Sequence, residues 1–198
     1  MDAQRELHFY RKKGVNPMKK KIAAGLIILL LTAGCATMMS FEEKEKIYGK
    51  ETPVISETYA SKQINPGDTW KVYLKASDQD GDMESIVAVI NMVGSGTHPV
   101  SFTRIMDGNR KDLSGYLSLS TTNPSGDAWL NNLTLTLTVQ IKDRVGHLSQ
   151  PATFPLEFNR RYAQEPPSPG VFPEQYLGPI MITLRSFHDD QGSGNGRP

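Results

Sequence analysis

The chain has 198 residues, 38% of them hydrophobic and 22% charged, a balance that excludes a disordered protein and leaves room for one ordinary domain with extras. The formal net charge of +1 hides an asymmetry: Arg5, Arg11, Lys12, Lys13, Lys19, Lys20 and Lys21 oppose only Asp2 and Glu6 before residue 36. The remainder therefore holds 15 basic and 19 acidic groups, a net −4. Such a body has no electrostatic reason to seek nucleic acid, and a single cysteine, Cys35, excludes an internal disulfide framework.

Residues 1–17 are polar and basic without periodicity. They read as a start assigned too far upstream, the alternative being a short cytoplasmic extension. Met18 opens a second start, followed by Lys19-Lys20-Lys21, an apolar run from Ile22 to Leu31, and Thr32-Ala33-Gly34-Cys35. A positive region, an apolar region and a small-residue cleavage region in that order make 18–34 a signal peptide. The lysines favour the cytoplasmic side while the apolar run enters the bilayer.

Leu31-Thr32-Ala33-Gly34-Cys35 resembles the lipobox of bacterial lipoproteins, with Thr32 where that pattern prefers Leu. The resemblance implies cleavage before Cys35, acylation of its sulfur, and a membrane partner held through the lipid. Two or three acyl chains anchor stably where one does not. Ala36, which is not Asp, implies sorting to the outer membrane. The competing reading is an uncleaved span over 22–39, near the lower length limit for crossing a bilayer.

Residues 35–52 form a polar tether, able to make one or two helical turns that nothing in the pattern requires. Alternation then takes over and predicts strands. Trp70, Val72, Leu74 and Ala76 face inward, opposite Lys71, Tyr73 and Lys75. Ile86, Ala88 and Ile90 are backed by Val87 and Val89, so both faces are apolar and the strand is central. Leu133, Leu135, Leu137, Val139 and Ile141 form the clearest stripe, with Thr134, Thr136, Thr138 and Gln140 on a solvated face. Val100–Ile105, Tyr116–Leu119 and Thr153–Phe158 are shorter candidates.

Turn chemistry separates these runs at Asn65-Pro66-Gly67-Asp68, Asp107-Gly108-Asn109, Asn123-Pro124-Ser125-Gly126-Asp127 and Val145-Gly146. The expected fold is all-β, one sandwich of about seven strands over 53–158. Asn65–Asp68, the acidic turn Ala76–Asp82 and the hairpin Val139–Ser149 resemble those of immunoglobulin-like sandwiches of the polycystic-kidney-disease and cadherin-like types. That resemblance implies a fold and no particular function. Residues 159–188 combine a proline-rich connector with the apolar run Leu177–Leu184, expected to add a strand or pack along the sandwich. Residues 189–198 are expected to be a disordered tail.

Asp78, Asp80 and Asp82 are the sharpest chemical candidates. Carboxylates at alternate positions converge on a hard cation, and Ca²⁺ takes six to eight oxygens. The EF-hand pattern places Gly after the third acid and Glu at its twelfth position, where this chain has Met83 and Val89. A cadherin-like site would need carboxylates from other loops, such as Asp143 or Asp107. The competing reading is a plain acidic turn with Gly81 at positive φ. His98, His147 and His188 show no metal-ligand spacing. Gly-x-Ser-x-Gly and His-Glu-x-x-His patterns are absent, and no Lys or helix start follows Gly94-Ser95-Gly96. Trp70 shares the core register, and Trp129 is open to either a core or a surface role.

The function expected on these grounds is non-enzymatic, with no cofactor. It is a lipid-anchored binding or scaffolding module of the bacterial envelope that contacts another envelope protein. The alternative is a calcium-dependent adhesion or glycan-binding lipoprotein. A small hydrolase is a distant third.

Overall fold

The computed structural model describes residues 39–93, 96–122, 130 and 132–184. The expected signal peptide 18–34, Cys35, the expected turn at 123–127, Trp129, His188 and the expected tail 189–198 lie outside the described residues.

Ser40 caps helix α1, Phe41–Tyr48. Its hydroxyl accepts the Glu43 amide, and the Glu43 carboxylate accepts the Ser40 amide. This reciprocal pair satisfies two amides that the first turn leaves without partners. Gly49 ends the helix at φ +108.

The remainder is an all-β body built from β1 (Val54–Ala60), β2 (Gln63–Ile64), β3 (Thr69–Ser77), β4 (Met83–Met92), β5 (Gly96–Thr97), β6 (Ser101–Arg104), β7 (Asp112–Ser120), β8 (Thr134–Asp143), β9 (Ala152–Phe158) and β10 (Tyr176–Pro179). A four-stranded sheet runs β1-β3-β7-β10. A six-stranded sheet runs β2-β9-β8-β4-β5, with β6 also on β4. The inner faces interdigitate around one core that includes Trp70, Leu74, Ile90, Leu119, Leu137 and Phe158. Trp70 is fully buried, and its indole N–H donates to the Ser61 carbonyl at 2.9 Å, so the ring fills the core without stranding its polar edge.

The strands exceed the seven expected because β2 and β5, at two residues each, are too short to show alternation. Strand β4 is central, between β8 and β6, as its two apolar faces require.

The connector covers the outer face of the four-stranded sheet. Glu174 accepts from Lys71 Nζ at 2.6 Å and from Tyr73 Oη at 2.7 Å, and Phe172 packs 5.6 Å from the Tyr73 ring. Tyr73, on the face expected to be wet, is therefore buried. Strand β10 then joins β7 in parallel. Beyond β7, its Pro179 carbonyl accepts from Thr103 Oγ1 at 2.6 Å, and the Met181 amide donates to Ser101 Oγ at 2.8 Å. The segment thus bridges the two sheets along one seam.

Candidate functional site

Two turns meet at one pole of the sandwich. The first, 78–82, carries the chain from β3 in one sheet to β4 in the other. Asp78 Oδ1 accepts the Asp80 amide at 3.0 Å, tightening the turn, and Gly81 takes φ +74, a conformation costly for residues with a β-carbon. The second turn follows β8. Asp143 Oδ1 accepts the amides of Gly146 and His147 at 2.6 and 2.8 Å, closing the loop on a side chain. The Arg144 amide donates to the Asp82 carbonyl at 3.2 Å, joining the two turns.

This packing brings Asp78, Asp82 and Asp143 together. Each offers a carboxylate oxygen, and these oxygens lie within 4.8 Å of one another. The residues are 2%, 5% and 0% exposed. The Oδ2 atoms of Asp78 and Asp82 are sealed from solvent and have no hydrogen-bond partner. Burying even one uncompensated carboxylate costs several kcal/mol, so the arrangement calls for a proton or a cation. Burial does most to raise the pKa of Asp82. The adjoining Asp78 carboxyl and the charge of Asp143 add to it, and together they push it up to about 7.

Of the acids singled out in the sequence, Asp78 and Asp82 converge and Asp80 turns away. Asp80 is exposed and accepts the Glu51 amide at 2.8 Å. Asp107 pairs with Arg110 at 2.7 Å. The third carboxylate of the cluster is Asp143.

Helix α1 docks on the same pole. His147 Nδ1 lies 2.7 Å from Asp143 Oδ2, and its Nε2 lies 3.6 Å from Glu45 on α1. Phe41 meets the imidazole edge-on at 5.0 Å, and the Arg144 guanidinium sits 5.3 Å from the Tyr48 ring centre. Burial opposes the charged form of His147, but the Asp143 and Glu45 carboxylates outweigh it and hold its pKa above the usual value. Gly49 lies so close to Asp80 that a β-carbon there would overlap the carboxylate.

Sequence reasoning allowed one or two helical turns before residue 53 without requiring them, and it missed the role of His147. The capping pattern Ser40-Phe41-Glu42-Glu43 was the available signal for the first. The second depends on a contact spanning about a hundred residues, which no local spacing reports.

An open groove of about 660 Å³ lies elsewhere, lined by Tyr59, Ser61, Gln63, Thr136, Leu156 and Tyr162 among others. None of the three buried carboxylates lines it. Among the described residues, no helix is long and apolar enough to cross a membrane. The chain matches no protein-family model, no curated protein and no solved structure.

Proposed function

We propose that this chain is a lipid-anchored, non-enzymatic binding or scaffolding module of the bacterial cell envelope, carried on an immunoglobulin-like sandwich. The sequence Leu31-Thr32-Ala33-Gly34-Cys35 supports the anchor, and Ala36 favours the outer membrane. Strand order supports the fold assignment. Strands β1, β3 and β7 stand where such domains have their first, second and fifth strands, and β4, β8 and β9 take the third, sixth and seventh places.

The observation that carries the binding role is the open edge at β1. Among the described residues β1 pairs only with β3. It thus offers a row of backbone groups to a partner strand. Metabolic labelling with a clickable fatty acid tests the anchor. The wild type is expected to take up label and sediment with membranes, and Cys35→Ser to lose both. An unlabelled wild type whose mature chain begins at Met1 removes the reading. A photo-crosslinking residue at Ser56, on β1, tests the partner. A discrete crosslinked product is expected in intact envelopes, and none above background counts against a partner there.

The buried carboxylates favour a second reading, calcium-dependent adhesion or glycan binding. It is separated from the first by chelation, which abolishes adhesion only under the second.

A further inference from the structure

We propose that Asp78, Asp82 and Asp143 hold one Ca²⁺ ion, and that this ion fastens helix α1 to the sandwich. The site needs neither acylation of Cys35 nor an adhesive partner, and it stands or falls on the folded chain alone.

The geometry fits the ion. Oxygens bound to one Ca²⁺ at about 2.4 Å lie no more than about 5 Å apart, and the three carboxylate oxygens fall within 4.8 Å of one another. The donor set is entirely hard oxygen, with no thiolate, and His147 stands outside it as a partner of Asp143. A hard cation is therefore favoured over Zn²⁺ or copper. Two of the oxygens, Oδ2 of Asp78 and Oδ2 of Asp82, are buried without a donor, whereas a plain acidic turn spends its carboxylate oxygens on nearby amides. Asp78 already does so with Oδ1, on Asp80, leaving its second oxygen free for the ion.

Charge agrees. Three carboxylates packed this closely out of water repel one another, and a divalent cation among them offsets that repulsion. Three protein carboxylates leave coordination places for backbone carbonyls or water, as hard-cation sites use.

The link to the tether runs through Asp143. Its Oδ1 fixes the amides of Gly146 and His147, and its Oδ2 fixes the imidazole. That imidazole receives Phe41 and Glu45. A ligand carboxylate whose orientation is held by such a partner transmits its position outward. On the other turn, Asp80 grips the Glu51 amide. With the ion in place both turns are rigid and α1 has a fixed seat. Without it the acids repel, and the seat loosens.

The full chain, stripped with EGTA and kept in detergent, is melted with and without CaCl₂, and amide exchange is followed in both states. Calcium is expected to raise the melting temperature by about 5–10 °C at a hundredfold excess over Kd. It is also expected to slow exchange across 41–49. Asp82→Asn is expected to melt no lower than the wild type in EGTA, because one repelling charge is gone, and to show no calcium shift. Asp80→Asn is expected to keep the shift. An unchanged wild-type melt in calcium overturns the site, as does an equal shift in Asp82→Asn. Loss of the shift in Asp80→Asn overturns the choice of ligands. A shift with unaltered exchange at 41–49 overturns the fastening.

Discussion

His147 Nδ1 stands 2.7 Å from Asp143 Oδ2, and this pair holds the imidazole against which Phe41 and Glu45 of helix α1 rest. Asp143 is fully buried, so the imidazole is its only side-chain donor among the hydrogen bonds described, beside two amides. Removing it leaves part of a buried carboxylate unsatisfied and takes away the surface on which Phe41 rests. His147→Ala is expected to lower stability by about 1–3 kcal/mol and to speed amide exchange in α1. Denaturant unfolding with exchange mass spectrometry checks both, and a variant with wild-type exchange at 41–48 would show that the helix is seated by other contacts.

Trp70 gives a second prediction. Trp70→Phe keeps an aromatic ring in the core but abandons the Ser61 carbonyl that the indole N–H reaches. Ser61 is itself buried. A loss of about 1–3 kcal/mol is expected from the orphaned acceptor and the lost volume, measured by urea denaturation. A neutral substitution would mean that water reaches the Ser61 carbonyl.

The capping box makes the third. Ser40→Ala removes the acceptor for the Glu43 amide, and about 1 kcal/mol of helix stability goes with it. Exchange is expected to rise in Phe41–Tyr48 and to stay unchanged in β3 and β8. Uniform protection in the variant would show that tertiary docking alone holds the helix.

Gly115 makes the fourth. It takes φ +155, and a β-carbon there would strike the Gln175 carbonyl, the group that accepts the Tyr116 amide at 2.8 Å. Gly115→Ala is expected to push β10 off β7. Protection is then lost over residues 176–184, while pairing between β3 and β7 is kept. Amide exchange reads this directly, and intact protection at 176–184 would refute the argument.

The fifth concerns pH. Burial lowers the pKa of His98 below its ordinary 6.5, and its Nε2 is sealed without a partner. The folded chain therefore keeps His98 neutral at a pH where the unfolded chain already binds a proton. This contribution is complete above pH 6.5. It is lost as pH falls from there toward the folded-state value. His147 has the opposite sign, since its raised pKa favours the folded state on the acid side and that benefit fades as pH rises. The His98 part is isolated by comparing wild type with His98→Gln. The variant is expected to lose less stability between about pH 7.5 and 5.5, and equal losses in the two proteins would dismiss the effect.

The core was legible because alternation is strict. Trp70, Val72, Leu74 and Ala76 all lie inward, as do Leu135, Leu137, Val139 and Ile141. The same periodicity held an unread clue about the acids. Asp78 continues the inward series after Ala76, and Asp143 continues it after Ile141, so both carboxylates are buried at strand ends by register alone. Asp80 has the same parity, but the chain has already left the strand and its side chain is exposed. Acid spacing alone could not distinguish Asp80 from Asp143, because the third member of the cluster comes from a neighbouring turn about sixty residues later. Tyr73 eluded the pattern for a related reason. Its cover, Phe172 and Glu174, lies roughly a hundred residues downstream, and alternation describes a sheet face before anything is laid on it.

The seam closed by Pro179 and Met181 bears on the order of assembly. Ser101 and Thr103 receive their partners from positions 80 and 76 residues later, after every other strand has been made. A nascent chain halted before residue 176 would hold two sheets with one flank unzipped, exposing Leu117 and Thr103 to any passing edge. Contacts of such long sequence separation form slowly, so this seam is expected to be the last part of the sandwich to close.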